Sequence, residues 1–344
     1  MKHMKFLSFF LGIAFAIIAC SSNNETIPAP EVDPDGDDGT TEVEFAKGAD
    51  IGWVTEYESK GYNFYNAKGE QRECTALMKE LGLDAIRIRV WVDPSKHGNW
   101  CNTADVVEKA KRAKELGMDV MIDFHYSDWW ADPAQQNKPA SWVGKNLANL
   151  KSAIKDHTVS VLQALKEIGV IPKWVQVGNE IRPGMLWDED VALSGASYNV
   201  TEKDLKDAPA SATDKVVYPM NWANLGAFVT TGYDAVKSVF PDAIVIVHLD
   251  NGWDSGLFTW FFDELKKNGG KWDMIGMSLY PYWSRDAKEG YSSADAVITD
   301  CISNIKALST KYNCDVMVVE TGMECADDNG KLASTSVLNE GKRQ

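Results

Sequence analysis

From Lys47 onward, short apolar, β-rich runs alternate with longer stretches in which apolar residues recur every three or four positions. The short runs are Gly48–Ile51, Ala85–Val90, Val120–Phe124, Trp174–Val177, Ile244–Val247, Met274–Ser278 and Val316–Val319, and they read as strands. Helices are predicted over Thr103–Leu116, with Gly117 as the stop, and over Asn149–Ile168, Asn221–Val239, Leu257–Leu265 and Ala294–Tyr312. Such alternation implies a parallel sheet. No G-x-G-x-x-G or P-loop follows the first strand, which argues against a nucleotide-binding doubly wound sheet.

Polar residues with chemical potential gather at one end of these strands. Trp91 and Asp93 follow the second, His125 and Asp128 the third, Asn179 and Glu180 the fourth, His248 and Asp250 the fifth, Tyr280 the sixth and Glu320 the seventh. A (β/α)8 TIM barrel builds its active site at that C-terminal face from several strands, so the one-sided pattern favours this α/β fold over an open sheet.

The first 45 residues fall outside the pattern. Lys2 and Lys5 precede a 14-residue apolar run, Phe6 to Ala19, that ends at Cys20. The run is shorter than the roughly 20 residues that span a bilayer and has the form of an export signal. Ile17-Ile18-Ala19-Cys20 resembles a bacterial lipoprotein signal, which implies lipidation at Cys20; the alternative is an ordinary cleaved signal with Cys20 incidental. Residues 21–45 hold eight acids, no base, and several Pro and Gly, and read as a disordered acidic tether. Residues 46–344 are then expected to form the folded domain, exported and held by lipid at the cell envelope, with the outer membrane or cell surface the expected place. The tether takes −8 of the net charge of −15, and residues 1–20 contribute +2, leaving −9 on the domain. This acidity argues against nucleic acid as a partner and says little about a substrate.

Glu180 and Glu320 each leave an apolar strand at the barrel's functional face. Glycoside hydrolysis needs two carboxyls flanking the bond, one protonated and one ionised. Glu180 is expected as acid/base and Glu320 as nucleophile, giving retention, with the carboxyls about 5–5.5 Å apart.

The sequence around this pair resembles the clan of retaining (β/α)8 glycosidases and, within it, the arabinogalactan endo-β-1,4-galactanases of glycoside hydrolase family 53. The stretches that carry the resemblance are Gly48–Ile51, Ile86–Pro94, Ile122–Pro133, Trp174–Ile181 and Gly184–Trp187, of which Ile122–Pro133 is the most specific. It implies endo-hydrolysis of β-1,4-galactan, the side chain of pectic polysaccharide. It also implies that Arg87 orients Glu320 and keeps it ionised, that Asn179 bonds the sugar 2-hydroxyl, and that Tyr280 bonds the nucleophile. Arg89, two residues on from Arg87, is a weaker candidate.

The remaining candidates have double readings. His125 and His248 either hold substrate hydroxyls or the carboxyls, or are satisfied structural groups. Of the 13 tryptophans, Trp91, Trp129, Trp130, Trp187, Trp253 and Trp283 fall in loops at the functional face, where a flat ring suits a sugar's C–H face. Trp91, Trp130, Trp187 and Trp283, with Asp128, are singled out as binding or supporting residues; the alternative for each tryptophan is a loop anchor. No His or Cys pair has metal-ligand spacing, so no catalytic metal or cofactor is expected, while the loop acids leave room for a structural calcium. Besides Cys20 there are five cysteines, Cys74, Cys101, Cys301, Cys314 and Cys325; closeness in sequence suggests Cys74–Cys101 and Cys301–Cys314 disulfides.

Only 24 residues follow Glu320, fewer than the about 30 of a βα unit. No eighth strand is legible, and Lys331–Gln344 reads as the start of a helix. The resemblance implies a tryptophan on an eighth strand, so the chain is expected to lack its eighth unit. A monomer is the default for one domain on a tether. The competing functions are another retaining endo-glycanase of the clan, such as a mannanase or glucanase, and a non-catalytic glycan-binding lipoprotein.

Overall fold

A computed structural model describes residues 45–187, 221–281 and 294–322. The signal, almost all of the tether, Trp283, Cys325 and the terminal stretch 323–344 lie outside them.

Seven parallel strands pair in chain order: β1 (Gly48–Asp50), β2 (Ala85–Val90), β3 (Asp119–Phe124), β4 (Trp174–Val177), β5 (Ile244–Leu249), β6 (Met274–Leu279) and β7 (Asp315–Thr321). The helices are α1 (Val54–Ser59), α2 (Cys74–Glu80), α3 (Thr103–Glu115), α4 (Leu147–Glu167), α5 (Trp222–Val239), α6 (Ser255–Lys267) and α7 (Ala294–Tyr312). Side chains of Glu73, Asn102, Asn146, Asn221 and Asp254 accept from the backbone N–H three residues on and so start α2 to α6. A two-residue hairpin, Phe64–Tyr65 with Gln71–Arg72, lies between α1 and α2.

The sheet curls into a nearly closed TIM barrel. Arg87 on β2 touches Glu320 on β7 at 2.8 Å, although five strand spacings in a flat sheet would separate them by about 24 Å. Alternation along each strand sorts the two sides. Ile86, Ile88, Val120, Ile122, Val175, Val177, Val245, Val247 and Ile275 face outward and pack under the helices. Ala85, Met121, Trp174, Ile246 and Met274 face inward and form an apolar floor. One step further up the same inward faces stand Arg87, Asp123, Gln176 and His248, so the polar layer rests on an apolar one.

The two suggested disulfides are absent: Cys74, Cys101, Cys301 and Cys314 are free thiols. Cys301 lies mid-way along α7 and Cys314 two residues past its end. At about 1.5 Å rise per residue, the helix between them holds their Cα atoms well beyond the about 7 Å a disulfide tolerates. Cys101 is instead buried, with its Sγ 3.3 Å from the Gly52 carbonyl.

Candidate active site

Arg87 organises the inward polar layer. Its Nη1 donates to Asp50 Oδ2 at 2.8 Å, and its Nη2 meets Asp123 Oδ2 at 2.9 Å, Asn179 Oδ1 at 2.8 Å and Gln176 Oε1 at 3.3 Å. Nη2 also lies 2.8 Å from Glu320 Oε1. Burial alone would raise the Asp123 carboxyl, but Arg87 and His125 hold it below the usual range. Asp50 is likewise raised by burial and brought below its usual range by Arg89 and Arg87. The guanidinium and these two carboxylates are thus fixed charges.

A bulge brings Glu320 into the layer. Met317 and Val319 pack on the apolar floor, so strict alternation would turn Glu320 toward the helices. The β6–β7 register shifts at Met277/Ser278: Met277 pairs with Val318 but Ser278 with Glu320, leaving Val319 as the extra residue. The bulge re-aims the Glu320 side chain into the barrel mouth. There Tyr280 donates its hydroxyl to Glu320 Oε2 at 3.0 Å. Burial and the charges of Glu320 and Glu180 raise the phenol well above its usual range, so it stays a donor.

Glu180 is held by an unusual backbone. Gly178 has φ 83° and Glu180 itself φ 48°, a left-handed conformation that costs a non-glycine residue about 1–2 kcal/mol. The buried Gln136 amide restrains this turn by donating to the carbonyls of Asn179 at 2.8 Å and Glu180 at 3.3 Å. The next N–H, from Ile181, donates to the His248 carbonyl at 3.0 Å. The turn aims the Glu180 carboxyl at Ser278, whose hydroxyl donates to Oε1 at 2.6 Å.

The two carboxyls differ in charge environment. Burial raises Glu180 well above its usual range, and the charges of Glu320, Asp250 and Asp132 push the same way. Glu320 also lies above its usual range, though less far: burial, Asp123 and Asp50 raise it, while Arg87 and the Tyr280 hydrogen bond oppose them. Among the described residues no ion pair reaches Glu180. The proton shared by this coupled pair therefore resides on Glu180, and Glu320 carries the charge. A proton donor facing an anionic carboxylate can assist cleavage of a bond placed between them.

The structure brings Arg87, Asn179, Glu180, His248, Tyr280 and Glu320 together. Asn179 donates through Nδ2 to the Ala131 carbonyl at 2.7 Å. His248 lies beneath Glu180, with Nε2 2.8 Å from Ser278 Oγ; burial, then Arg87, lowers it well below the usual histidine range, so it is neutral. His125 sits with Nε2 2.9 Å from Asp123, while its Nδ1 accepts from the Ala131 N–H at 3.0 Å and Trp91 Nε1 at 3.3 Å. These bonds make it a bracket for the layer.

Other sequence candidates stand elsewhere. Trp91 is only 2% exposed and Trp187 is buried, with Nε1 donating to the Pro183 carbonyl, so both are anchors and neither opens a ring face. Asp128 ties two loop segments together by accepting from the N–H groups of Asp93 and Ala140, both at 2.9 Å. Trp130 is 39% exposed, with the Arg89 guanidinium 4.1 Å from its ring centroid. Among the described residues it is an exposed aromatic surface beside the site.

Asp50, Asp123, Gln136, Gln176 and Ser278 carry no role in the sequence reading, although Asp50, Asp123 and Gln176 lie within the stretches that carry the resemblance. The signal for Asp123 and Gln176 was positional: strand pairing puts Arg87 level with Met121, and Asp123 level with Gln176, so they fall on Arg87's inward face. Among the described residues no group of three or more His, Cys, Asp or Glu has the arrangement of a metal site.

Comparison with known proteins fits this geometry. The profile of glycosyl hydrolase family 53 matches residues 46–343. A protein of Niallia circulans described only as an uncharacterized protein in the bgaB 5′ region is 36% identical over 280 residues, 81% of this chain and 68% of its own. An arabinogalactan endo-β-1,4-galactanase of Thermothelomyces thermophilus is 31% identical over 296 residues, 84% of this chain and 77% of its own. A solved structure from a study of two fungal β-1,4-galactanases superposes with a TM-score of 0.67 at 31% identity, over 82% of this chain and 75% of the other.

Proposed function

The chain belongs to glycosyl hydrolase family 53, and from that premise we propose that it cleaves internal β-1,4-galactosidic bonds in galactan and type I arabinogalactan by double displacement with retention. Glu320, ionised and gripped by Arg87 and Tyr280, attacks the anomeric carbon. Glu180 gives its proton to the leaving oxygen as that bond breaks. Water then attacks the galactosyl–Glu320 ester while Glu180 takes the water's proton, restoring both groups. Asn179, locked by Arg87 and Ala131, offers its second amide hydrogen to the sugar 2-hydroxyl. Trp130 stacks on a neighbouring sugar. Both the proton and the nucleophile are protein carboxyls, so the reaction as proposed draws on no metal or cofactor.

The observation that carries this reading is the asymmetry of the pair: Arg87 and Tyr280 touch Glu320, while among the described residues no ion pair reaches Glu180, whose carboxyl is raised further. Digestion of galactan, with product sizing, tests it. Wild type should release short galacto-oligosaccharides, and Glu320→Ala should release none while still binding the polymer. Preferential cleavage of mannan or β-glucan in a parallel panel would move the assignment to another activity of the clan. A wild-type protein that binds galactan without cutting it would point to a binding lipoprotein.

The N-terminal sequence supports a second proposal: export, lipidation at Cys20 and display of a monomeric domain on the acidic tether at the cell envelope. Labelled fatty acid should enter the wild-type chain and not Cys20→Ala. Equal labelling, or none in either, would remove the anchor.

A further inference from the structure

Among the described residues Ser278 is the side chain hydrogen-bonded to the Glu180 carboxyl, and the groups behind it fix the direction of that bond. Gln176 cannot turn its amide round, because Nε2 donates to Asp123 Oδ1 at 2.6 Å and Oε1 accepts from Arg87 at 3.3 Å. That Nε2 also lies 3.0 Å from His248 Nδ1, 3.1 Å from Asn179 Oδ1 and 3.2 Å from the Gly178 carbonyl, and the Glu180 backbone N–H points at Nδ1 from 3.4 Å. Asn179 Oδ1 stands 3.1 Å from Nδ1 but already accepts from Arg87 at 2.8 Å. With the Glu180 N–H directed at Nδ1 and Asn179 Oδ1 filled by Arg87 and Gln176, Nδ1 is the acceptor and the ring hydrogen of His248 sits on Nε2. Nε2 therefore donates to Ser278 Oγ, 2.8 Å away, and Ser278 turns its own hydrogen to Glu180 Oε1. Gln176, His248 and Ser278 are all buried, so no bulk water competes for these bonds.

We propose that Ser278 is a positioning residue for Glu180, holding Oε1 as a hydrogen-bond acceptor and so assigning the transferable proton to Oε2. The proposal rests on the reading of Glu180 as acid/base and deepens it. During glycosylation the Oε2 proton passes to the leaving oxygen as the C1–O bond breaks and the Glu320–C1 bond forms. The Ser278 hydrogen stays on Oγ, and its bond to Oε1 strengthens as that carboxyl becomes an anion. In the second step the water's proton returns to Oε2 as its oxygen bonds C1. The thread also ties the two carboxyls to one anchor, since Arg87 holds Glu320 directly and sets Ser278 through Gln176 and His248.

Several other groups act on the same proton. Glu320 from β7, Asp250 past β5 (itself paired with Arg182), Asp132 in the loop after β3 and Tyr280 past β6 all face the carboxyl. The negative charges of Glu320, Asp250 and Asp132 favour the protonated form, and the Ser278 hydrogen bond opposes them.

The test compares Ser278→Ala with wild type on two substrates. The sugar expelled from galactan would be an unstable alkoxide without the proton; 2,4-dinitrophenyl β-galactobioside expels a stable phenolate and needs none. The variant should lose roughly ten- to a hundredfold in kcat/KM on galactan. It should stay within about threefold on the aryl glycoside, and its alkaline limb on galactan should move to higher pH. An equal loss on both substrates, or an unmoved alkaline limb, overturns the proposal. Ser278→Cys, nearly isosteric with a weak donor, should show the same substrate bias at smaller size and serves if the alanine variant does not fold. Glu180→Ala run alongside separates the two readings. If it loses equally on both substrates, the acid/base assignment fails; if it discriminates and Ser278→Ala does not, only the role of Ser278 fails.

Discussion

Arg87 lies 2.8 Å from Glu320 through the same Nη2 that contacts Asp123 at 2.9 Å. One guanidinium therefore neutralises a candidate nucleophile and a permanently buried carboxylate together. Removing it strands both. Arg87→Ala should lower stability by about 3–5 kcal/mol, as a broken buried ion pair does, and reduce galactan turnover by at least about a hundredfold. Arg87→Lys keeps the charge but not the fork, and should recover part of the stability with little of the turnover. Urea midpoints and kcat measured on the same preparations check both expectations.

The raised pKa of Glu180 has a stability cost of known sign. A carboxyl whose folded pKa lies above its unfolded one contributes stability that is fully present below the unfolded pKa and lost as pH rises through the folded one. Glu180→Gln, which cannot ionise, should therefore melt a few °C above wild type at pH 7–8 while losing nearly all activity. The difference should vanish near pH 4. Melting curves across that range would show a constant difference if burial strain, and not ionisation, were the cause.

Gly178 precedes the left-handed turn at Glu180. Its φ is 83°, and a Cβ there would sit 2.5 Å from Ile181 Cγ2 and 3.2 Å from the end of Met185. Gly178→Ala should cost about 2–4 kcal/mol through strain and overpacking. Because the turn aims Glu180, kcat should fall about tenfold or more, with KM little changed.

Trp130 offers its ring beside the site, steadied by Arg89. Trp130→Ala should raise KM for galactan about tenfold with kcat held within about threefold. Initial-rate kinetics on galactan decide this, and a fall confined to kcat would assign the ring to the chemistry instead.

The barrel was legible in the sequence because seven short apolar runs end in polar residues on one side only, and each strand stands within two residues of its expected place. Helices α1 and α2, of 6 and 7 residues, and the two-residue hairpin strands are too short to establish a period. Glu180 and Glu320 were visible as carboxyls leaving apolar strands. The features that aim them were not: the bulge at Val319 breaks the alternation a reader relies on, and Glu180's positive φ has no side-chain signature. Asp123, Gln176 and Ser278 look like any polar residue in a strand, and only closure of the sheet reveals that they share an interior with Arg87. Trp91 and Trp187 show the reverse error, since loop position suggested exposure and packing buried both.

The division of labour between the two glutamates is tested most directly by trapping the covalent intermediate. A 2-deoxy-2-fluoro-β-galactobiosyl fluoride slows both steps but hydrolysis of the ester more, and mass spectrometry of peptides then locates the sugar. The account predicts a single adduct, on the peptide carrying Glu320. An adduct on Glu180, or turnover that never labels a carboxylate, would contradict it.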